Sequence, residues 1–446
     1  MSIAGGRFKG RDAKIGMAPA GAAPGSGTGM MRITRRQAAI GMVATGLVSG
    51  PARGEAPFAE GEWVVSKDST VDLVVVGAGV FGAWIAWHAR RAGMSVRLLD
   101  AHGAGHARAS SGGESRVIRV SYGGDPLYSA MAVDSLAQWD GLSRRQSQPI
   151  LHRCGVLWFS PAGDPYMDKS LAWLRARGIA HDRGDSRWLC EAVPQIAFTD
   201  GESGFIERDS GALIASRSVQ AVIADAGLVA ARYAARPPVR LSNGAYGVGP
   251  FVARHVVYAC GPWLPKLFPQ ELNGRIVATR QEVYHFAPPA GADGQAYGPL
   301  ALPVWADFNG GDIVYGFPEL EGQGFKMAFD RHGPEVDPDT QDRRVSAEGI
   351  AAARAYLARR FPGLTDAPFI HGRVCQYENS SNGDFLIDRL PGHDRVWLVG
   401  GGSGHGFKHG PAVGARVVRH LRDSALAIEP RFSLASKGAV QARTVY

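Results

Sequence analysis

Long apolar runs are missing from this chain of 446 residues. No stretch reaches the roughly 20 apolar residues that cross a bilayer, so no membrane span is expected. Cysteine is scarce too: Cys154, Cys190, Cys260 and Cys375 stand far apart, with no Cys-x-x-Cys pair. That spacing excludes the usual zinc patterns, and no structural metal is expected; two disulfides remain open to the chain in an oxidising compartment. A dominant charge of one sign is also absent once the formal +8 is located. Eight basic and two acidic residues fall in residues 1–56, leaving 41 bases against 39 acids in the rest. No strong basic patch for nucleic acid follows. A hydrophobic content of 45% and a charged content of 20% are ordinary for a soluble globular protein long enough for two domains.

What is present begins at residue 71. Val-Asp-Leu-Val-Val-Val runs into Gly77-Ala-Gly79-Val-Phe-Gly82, then a helical stretch, then Ser-Val-Arg-Leu-Leu-Asp100. This reads as strand, glycine turn, helix and a second strand ending in a carboxylate. In a dinucleotide-binding turn Gly77 permits the tight bend, Gly79 admits the pyrophosphate, and Gly82 lets helix and strand touch. The helix start offers N–H groups to the phosphates. Asp100 stands where a carboxylate takes ribose hydroxyls.

Two further strand-to-glycine turns, Val256–Gly261 and Arg395–Gly404, lie far downstream, the last followed by a helix from about Pro411 to Leu421. The expected architecture is α/β: a Rossmann-like domain of discontinuous segments (70–152, 210–281 and 370–428) and a second domain (153–209 and 282–369). Aromatic-rich runs at Gly155–Phe159, Glu282–Phe286 and Asp312–Phe317 make that second domain a mostly antiparallel sheet. A helix is expected from residue 347. Residues 1–56 read as a leader: Thr34-Arg35-Arg36, an apolar run Ala38–Val48, then small residues to Ala52. This pattern predicts export to the periplasm by the twin-arginine route. The Gln-Ala-Ala after the arginine pair departs from that signal, and a cytoplasmic protein with an early start codon is the alternative.

Five stretches together resemble the FAD amine oxidoreductases related to D-amino-acid oxidase, and within them the sarcosine, N-methyltryptophan and pipecolate oxidase subgroup. They are the glycine fingerprint, Ser110-Ser-Gly-Gly-Glu-Ser115-Arg116-Val-Ile-Arg119, Gly322-Gln-Gly-Phe-Lys326, Arg373-Val-Cys375-Gln-Tyr377, and Ser403-Gly404-His405-Gly406-Phe-Lys408. The resemblance implies FAD joined covalently to Cys375 and held also by Ser110, Ser115, Arg116, Gly404, His405, Gly406 and Lys408. It implies Lys326 over the flavin face, where positive charge helps oxygen accept electrons. It implies Arg119 and Lys408 as the substrate carboxylate clamp, a task suited to a guanidinium fork and an ammonium. Tyr315 and Tyr377 become pocket walls.

By that resemblance the protein oxidises a secondary (N-alkyl or cyclic) amino acid to an imine and reduces oxygen to hydrogen peroxide. Its partners are then a small amino-acid substrate and oxygen, and a monomer is expected. Gly112 and Asp330 stand where sarcosine-oxidising relatives carry histidines, which implies a roomier, more acidic pocket. Three other readings compete. A related dehydrogenase would pass electrons to another carrier. A nicotinamide enzyme has no use for Cys375 or Lys326, and a flavin protein without catalysis has none for Arg119 and Lys408.

Overall fold

A computed structural model describes residues 70–441; residues 1–56, where a leader with a twin-arginine signal is expected, lie outside the described residues. The first strand, β1 (Thr70–Val76), is Val- and Leu-rich and buried on both faces, as a central parallel strand must be. It pairs in parallel with β2 (Val96–Asp100) on one side and with Phe251–Tyr258 on the other. The strand His393–Gly400 continues the parallel order beyond Phe251–Tyr258. Helix α1 (Val80–Arg91) connects β1 to β2. It carries His88, Arg90 and Arg91 in its last turn, where cations complement the exposed carbonyls. The C-terminal helix Gly410–Arg422 packs on it. A Cβ at Gly410 or Gly414, one helical turn apart, would lie 2.5 or 2.6 Å from atoms of Trp84, so the small residues let the two backbones approach.

The second eight-stranded sheet of the described residues is antiparallel except where Val304–Asp307 runs parallel to Val156–Pro161. The α/β class with two sheets, one assembled from distant segments, is as the sequence implies. The expected cuts at 281/282 and 369/370 fall at strands Ile276–Phe286 and Phe369–Ser380, which pair along their whole length inside this second sheet. Their register sets Gln281 opposite Cys375 and Thr279 opposite Tyr377, while His285 faces Lys326 on the next strand. A small third sheet joins β3 (Ser115–Ile118) to Gly211–Ile214 and Leu151–His152. Arg360 fastens the helix Ala347–Arg360 to the second sheet: buried, it donates to Asp307 at 3.0 Å and to Glu202 at 2.6 Å. All four cysteines are free thiols, so the two disulfides left open by the sequence are not formed. Among the described residues no helix is long and apolar enough to cross a membrane.

Candidate active site

The fingerprint turn is built by steric exclusion. Gly77 has φ +104°, and a Cβ there would meet the Ala259 carbonyl oxygen at 2.3 Å. A Cβ on Gly82 would meet the Gly77 oxygen at 1.8 Å. Gly82 therefore seats the helix under the turn and does not line the cavity above it. The Gly77 N–H donates to Leu99 at 2.8 Å, and Asp100 braces the whole turn. One Asp100 oxygen accepts from Ala78 at 2.8 Å, the other from His102 and Gly103 at 2.7 and 2.8 Å. A carboxylate has about four acceptor positions, so it retains capacity for ribose hydroxyls. Ser111 accepts from the Val80 N–H at 3.0 Å and caps the helix start. That role was not legible beforehand, although the Ser-Ser pair at 110–111 was the signal. Ser110 instead donates to the Gln376 carbonyl at 2.8 Å and ties the loop to the Cys375 strand.

A cavity of about 450 Å³ opens above this turn, lined by Gly77, Gly79, Asp100, Ser110, Gly404 and Gly406 and extending to Arg116 and Cys375. Its size is that of a small-molecule site. A Cβ on Gly404 would fall 2.7 Å from the Tyr377 ring, so the last glycine turn also keeps its wall clear of side chains. Glycines on both walls, a braced carboxylate and a cysteine make a donor set that fits FAD. Arg116 donates to the carbonyls of Ser115, Ser110 and Gly112 at 2.7, 2.7 and 3.0 Å, and lies 3.6 Å from the Cys375 sulfur. Held by neutral carbonyls, its positive charge remains available to the cofactor.

A second cavity of about 110 Å³ adjoins the first, and Arg116, Cys375, Tyr377 and Gly404 line both. Arg119, Tyr315, Lys326, Asp330, His405 and Lys408 line the second. Ser115, His405 and Lys408, expected at the cofactor, face this second cavity and not the first. Lys408 donates to the Tyr122 hydroxyl and the His405 carbonyl, both at 2.8 Å. The Arg119 guanidinium lies 4.0 Å from the Tyr122 ring centre and 4.8 Å from that of Trp158, and it donates to the Ser121 carbonyl. Burial opposes its charge, yet Tyr166, Tyr122, Glu207 and Asp330 raise its pKa, so it stays a cation. Tyr122, unmarked in the sequence, is the hub: its hydroxyl also meets His409 at 2.7 Å and His405 at 3.2 Å. Opposing these cations, Tyr377 donates to Asp330 at 2.9 Å and meets the Tyr315 hydroxyl at 3.5 Å. Burial, with Asp330 nearby, pushes the Tyr315 hydroxyl up to about 12.

Lys326 is 3% exposed and donates to the Ser115 carbonyl and hydroxyl at 2.9 and 3.2 Å. Burial, reinforced by Arg116, lowers its ammonium to about 7. Glu114 shows the converse. Burial would raise its carboxyl, but Lys326 and Arg373 outweigh that and hold it at about 2. Gly112 is a correction. It lines neither cavity, and a Cβ there would meet the His106 carbonyl at 2.3 Å and Arg373 at 3.0 Å. It gives the pocket no room; it seats a loop against Arg373. Asp330 does line the pocket, as the acidic half of that expectation requires.

A family profile described as FAD dependent oxidoreductase (DAO) matches residues 72–420. An N-methyl-L-tryptophan oxidase of Salmonella arizonae is 30% identical over 375 residues, covering 81% of this chain and 96% of the relative. One from Shigella sonnei is 29% identical over 357 residues, covering 77% and 92%. Among solved structures, NikD, described as an unusual amino acid oxidase essential for nikkomycin biosynthesis, superposes with a TM-score of 0.67 at 18% identity over 82% of this chain and 97% of its own. A fructosyl peptide oxidase from E. terrenum gives 0.69 at 19% over 84% and 96%. These two share the fold. The family match spans the glycine turn, the Cys375 strand and the cation-lined cavity between them, and the chain belongs to the FAD dependent oxidoreductases of the DAO family.

Proposed function

We propose that the protein oxidises a secondary amino acid, N-alkyl or cyclic, to an imine, with oxygen reduced to hydrogen peroxide and the imine then hydrolysed by water. The observation that carries this reading is the meeting of Arg119 and Lys408, 289 positions apart in the chain, in one cavity that shares Cys375 and Arg116 with the cofactor cleft. Bound FAD, attached through Cys375, supplies the two-electron acceptor. Arg119 and Lys408 hold the substrate carboxylate and fix the Cα–H toward the cofactor side, so orientation is settled before reaction. Arg116 keeps positive charge beside the cysteine. Lys326 stabilises the negative charge that develops on oxygen as it is reduced. Tyr315 and Tyr377 exclude water and carry the Asp330 carboxylate, which favours a substrate more basic than sarcosine. The relatives named for N-methyl-L-tryptophan support an N-methyl amino acid as the first class to try.

The leader adds export to the periplasm by the twin-arginine route, checked by cell fractionation of the parent and of a variant with Arg35 and Arg36 both changed to Lys. The activity is tested by a peroxide assay of the purified protein across N-methyl amino acids, pipecolate, proline and sarcosine, with an artificial electron acceptor in parallel. Peroxide formed with a carboxylated secondary amine supports the reading. Turnover only with the artificial acceptor moves it to a dehydrogenase.

A further inference from the structure

One titratable group of the first cavity has no part in the chemistry above. Glu378 ends the run Cys375-Gln-Tyr377-Glu378 within the strand Phe369–Ser380, on the opposite face from Cys375 and Tyr377. It is 6% exposed and lines the cavity assigned to the cofactor. The last turn of the parallel sheet presses on it from one side: a Cβ on Gly400 would lie 2.3 Å from Oε1 and 3.0 Å from Leu264. Backbone N–H groups of Gly401 and Gly402 favour its charged form, but burial outweighs them and pushes the carboxyl up to about 8. The Cys260 thiol feels its charge, and burial, with Asp100 and Glu378 nearby, keeps that thiol protonated. The remaining observation is geometric: Oε1 is buried and has no hydrogen-bond partner.

A buried oxygen without a partner is costly, and a buried unpaired carboxylate more so. The cavity is also the place of a cofactor that carries a pyrophosphate and ring carbonyls, all acceptors. A carboxylate facing them would repel them, whereas a neutral acid can donate. We infer that Glu378 is a protonated acid in the holoenzyme that donates its O–H to an acceptor atom of bound FAD, so that at alkaline pH, where the free carboxyl is ionised, cofactor binding takes up a proton from solvent. Glu378 is thus a cofactor-positioning acid, outside the substrate cavity.

The test is run in Cys375→Ser, in which no thioether can form at that position, by measuring FAD affinity from about pH 6 to about pH 9, the range around the raised carboxyl. Affinity should be level at the acid end and fall toward tenfold per pH unit once the free carboxyl ionises. Adding Glu378→Gln, which keeps a donor and cannot ionise, should leave affinity near neutral pH within a few-fold and remove the slope. Infrared difference spectra of the wild-type holoenzyme should contain a protonated carboxylic C=O band that Glu378→Gln deletes. A slope that survives Glu378→Gln, a level profile in Cys375→Ser itself, or no such band in the holoenzyme overturns the proposal. If the glutamine variant does not fold, the parent's profile and the holoenzyme band still decide.

Discussion

Replacing Lys326 by Met preserves length and apolar stem and removes one buried charge. A unit charge about 4 Å from a developing anion is worth about 4 kcal/mol at an effective dielectric near 20. That corresponds to about a thousandfold in rate. Stability should change much less, because two effects oppose each other. The bonds to Ser115 are lost at about 1 kcal/mol each, while the burial of an ammonium, which lowers its pKa to about 7, is relieved. Glu114 is not orphaned, since Arg373 remains 3.3 Å away. The assay separates the half-reactions: anaerobic bleaching of the flavin by substrate, then rapid mixing of the reduced enzyme with oxygen. Recovery of colour should slow by orders of magnitude in Lys326→Met and bleaching by far less. A lysine with a pKa near 7 is charged below that value, so recovery in the wild type should slow as pH rises through about 7, and that slope should vanish in the variant. Recovery within tenfold of the parent, or equal slowing of both halves, would refute the reasoning.

Denaturing electrophoresis of the wild type should leave flavin fluorescence on the polypeptide band, and Cys375→Ser should release it; fluorescence retained by the variant rules out that sulfur. Arg119→Ala and Lys408→Ala should each weaken binding of a carboxylated substrate by roughly 2–5 kcal/mol, seen as a raised apparent KM. Decarboxylated analogues turned over as well as their parent amino acids would remove the clamp. Arg360→Ala leaves Asp307 and Glu202 as buried carboxylates, and should cost roughly 3–5 kcal/mol in denaturant unfolding. A midpoint unchanged at pH 7 would mean that water replaces the guanidinium.

The cofactor turn was readable because its constraints are local. Gly82 meets Gly77 within the turn, and Asp100 closes on the backbone of Ala78 across 22 positions of sequence, although Gly77 also packs on the distant Ala259. The apolar runs around Val74, Val257 and Leu398 marked the parallel strands for the same reason. The substrate cavity was readable only through motif resemblance, since its members arrive from strands and turns far apart in the chain. Tyr122 shows why the rest was hidden. Its hydroxyl partners His405 and His409 lie 283 and 287 residues away, and nothing in Val-Ser-Tyr-Gly predicts them. The strand Ile276–Phe286 was recognised only over its last five residues, because Thr279, Arg280 and Gln281 interrupt the apolar pattern. The fold satisfies them otherwise: Arg280 pairs with Glu282 at 2.7 Å, and Gln281 donates to the Arg331 carbonyl at 2.7 Å. Gly112 was misread because a missing side chain reads equally as space for a ligand and as space for a neighbour.

The order of the parallel sheet also sets a timetable for the growing chain. β1 emerges early, yet one of its edges stays open until Phe251–Tyr258 is made, and that strand waits in turn for His393–Gly400. Its helix α1 meets the helix Ala215–Asp225 earlier, but lacks its main partner until Gly410–Arg422 is complete. Until then a Val-rich strand edge and the face of Trp84 are exposed, the surfaces on which nascent chains associate wrongly. Closure over such sequence distances is slow. Synthesis must therefore pass Phe407 before the cofactor cleft is complete, and a chain cut short before residue 393 would lack a strand that the earlier-made Phe251–Tyr258 requires.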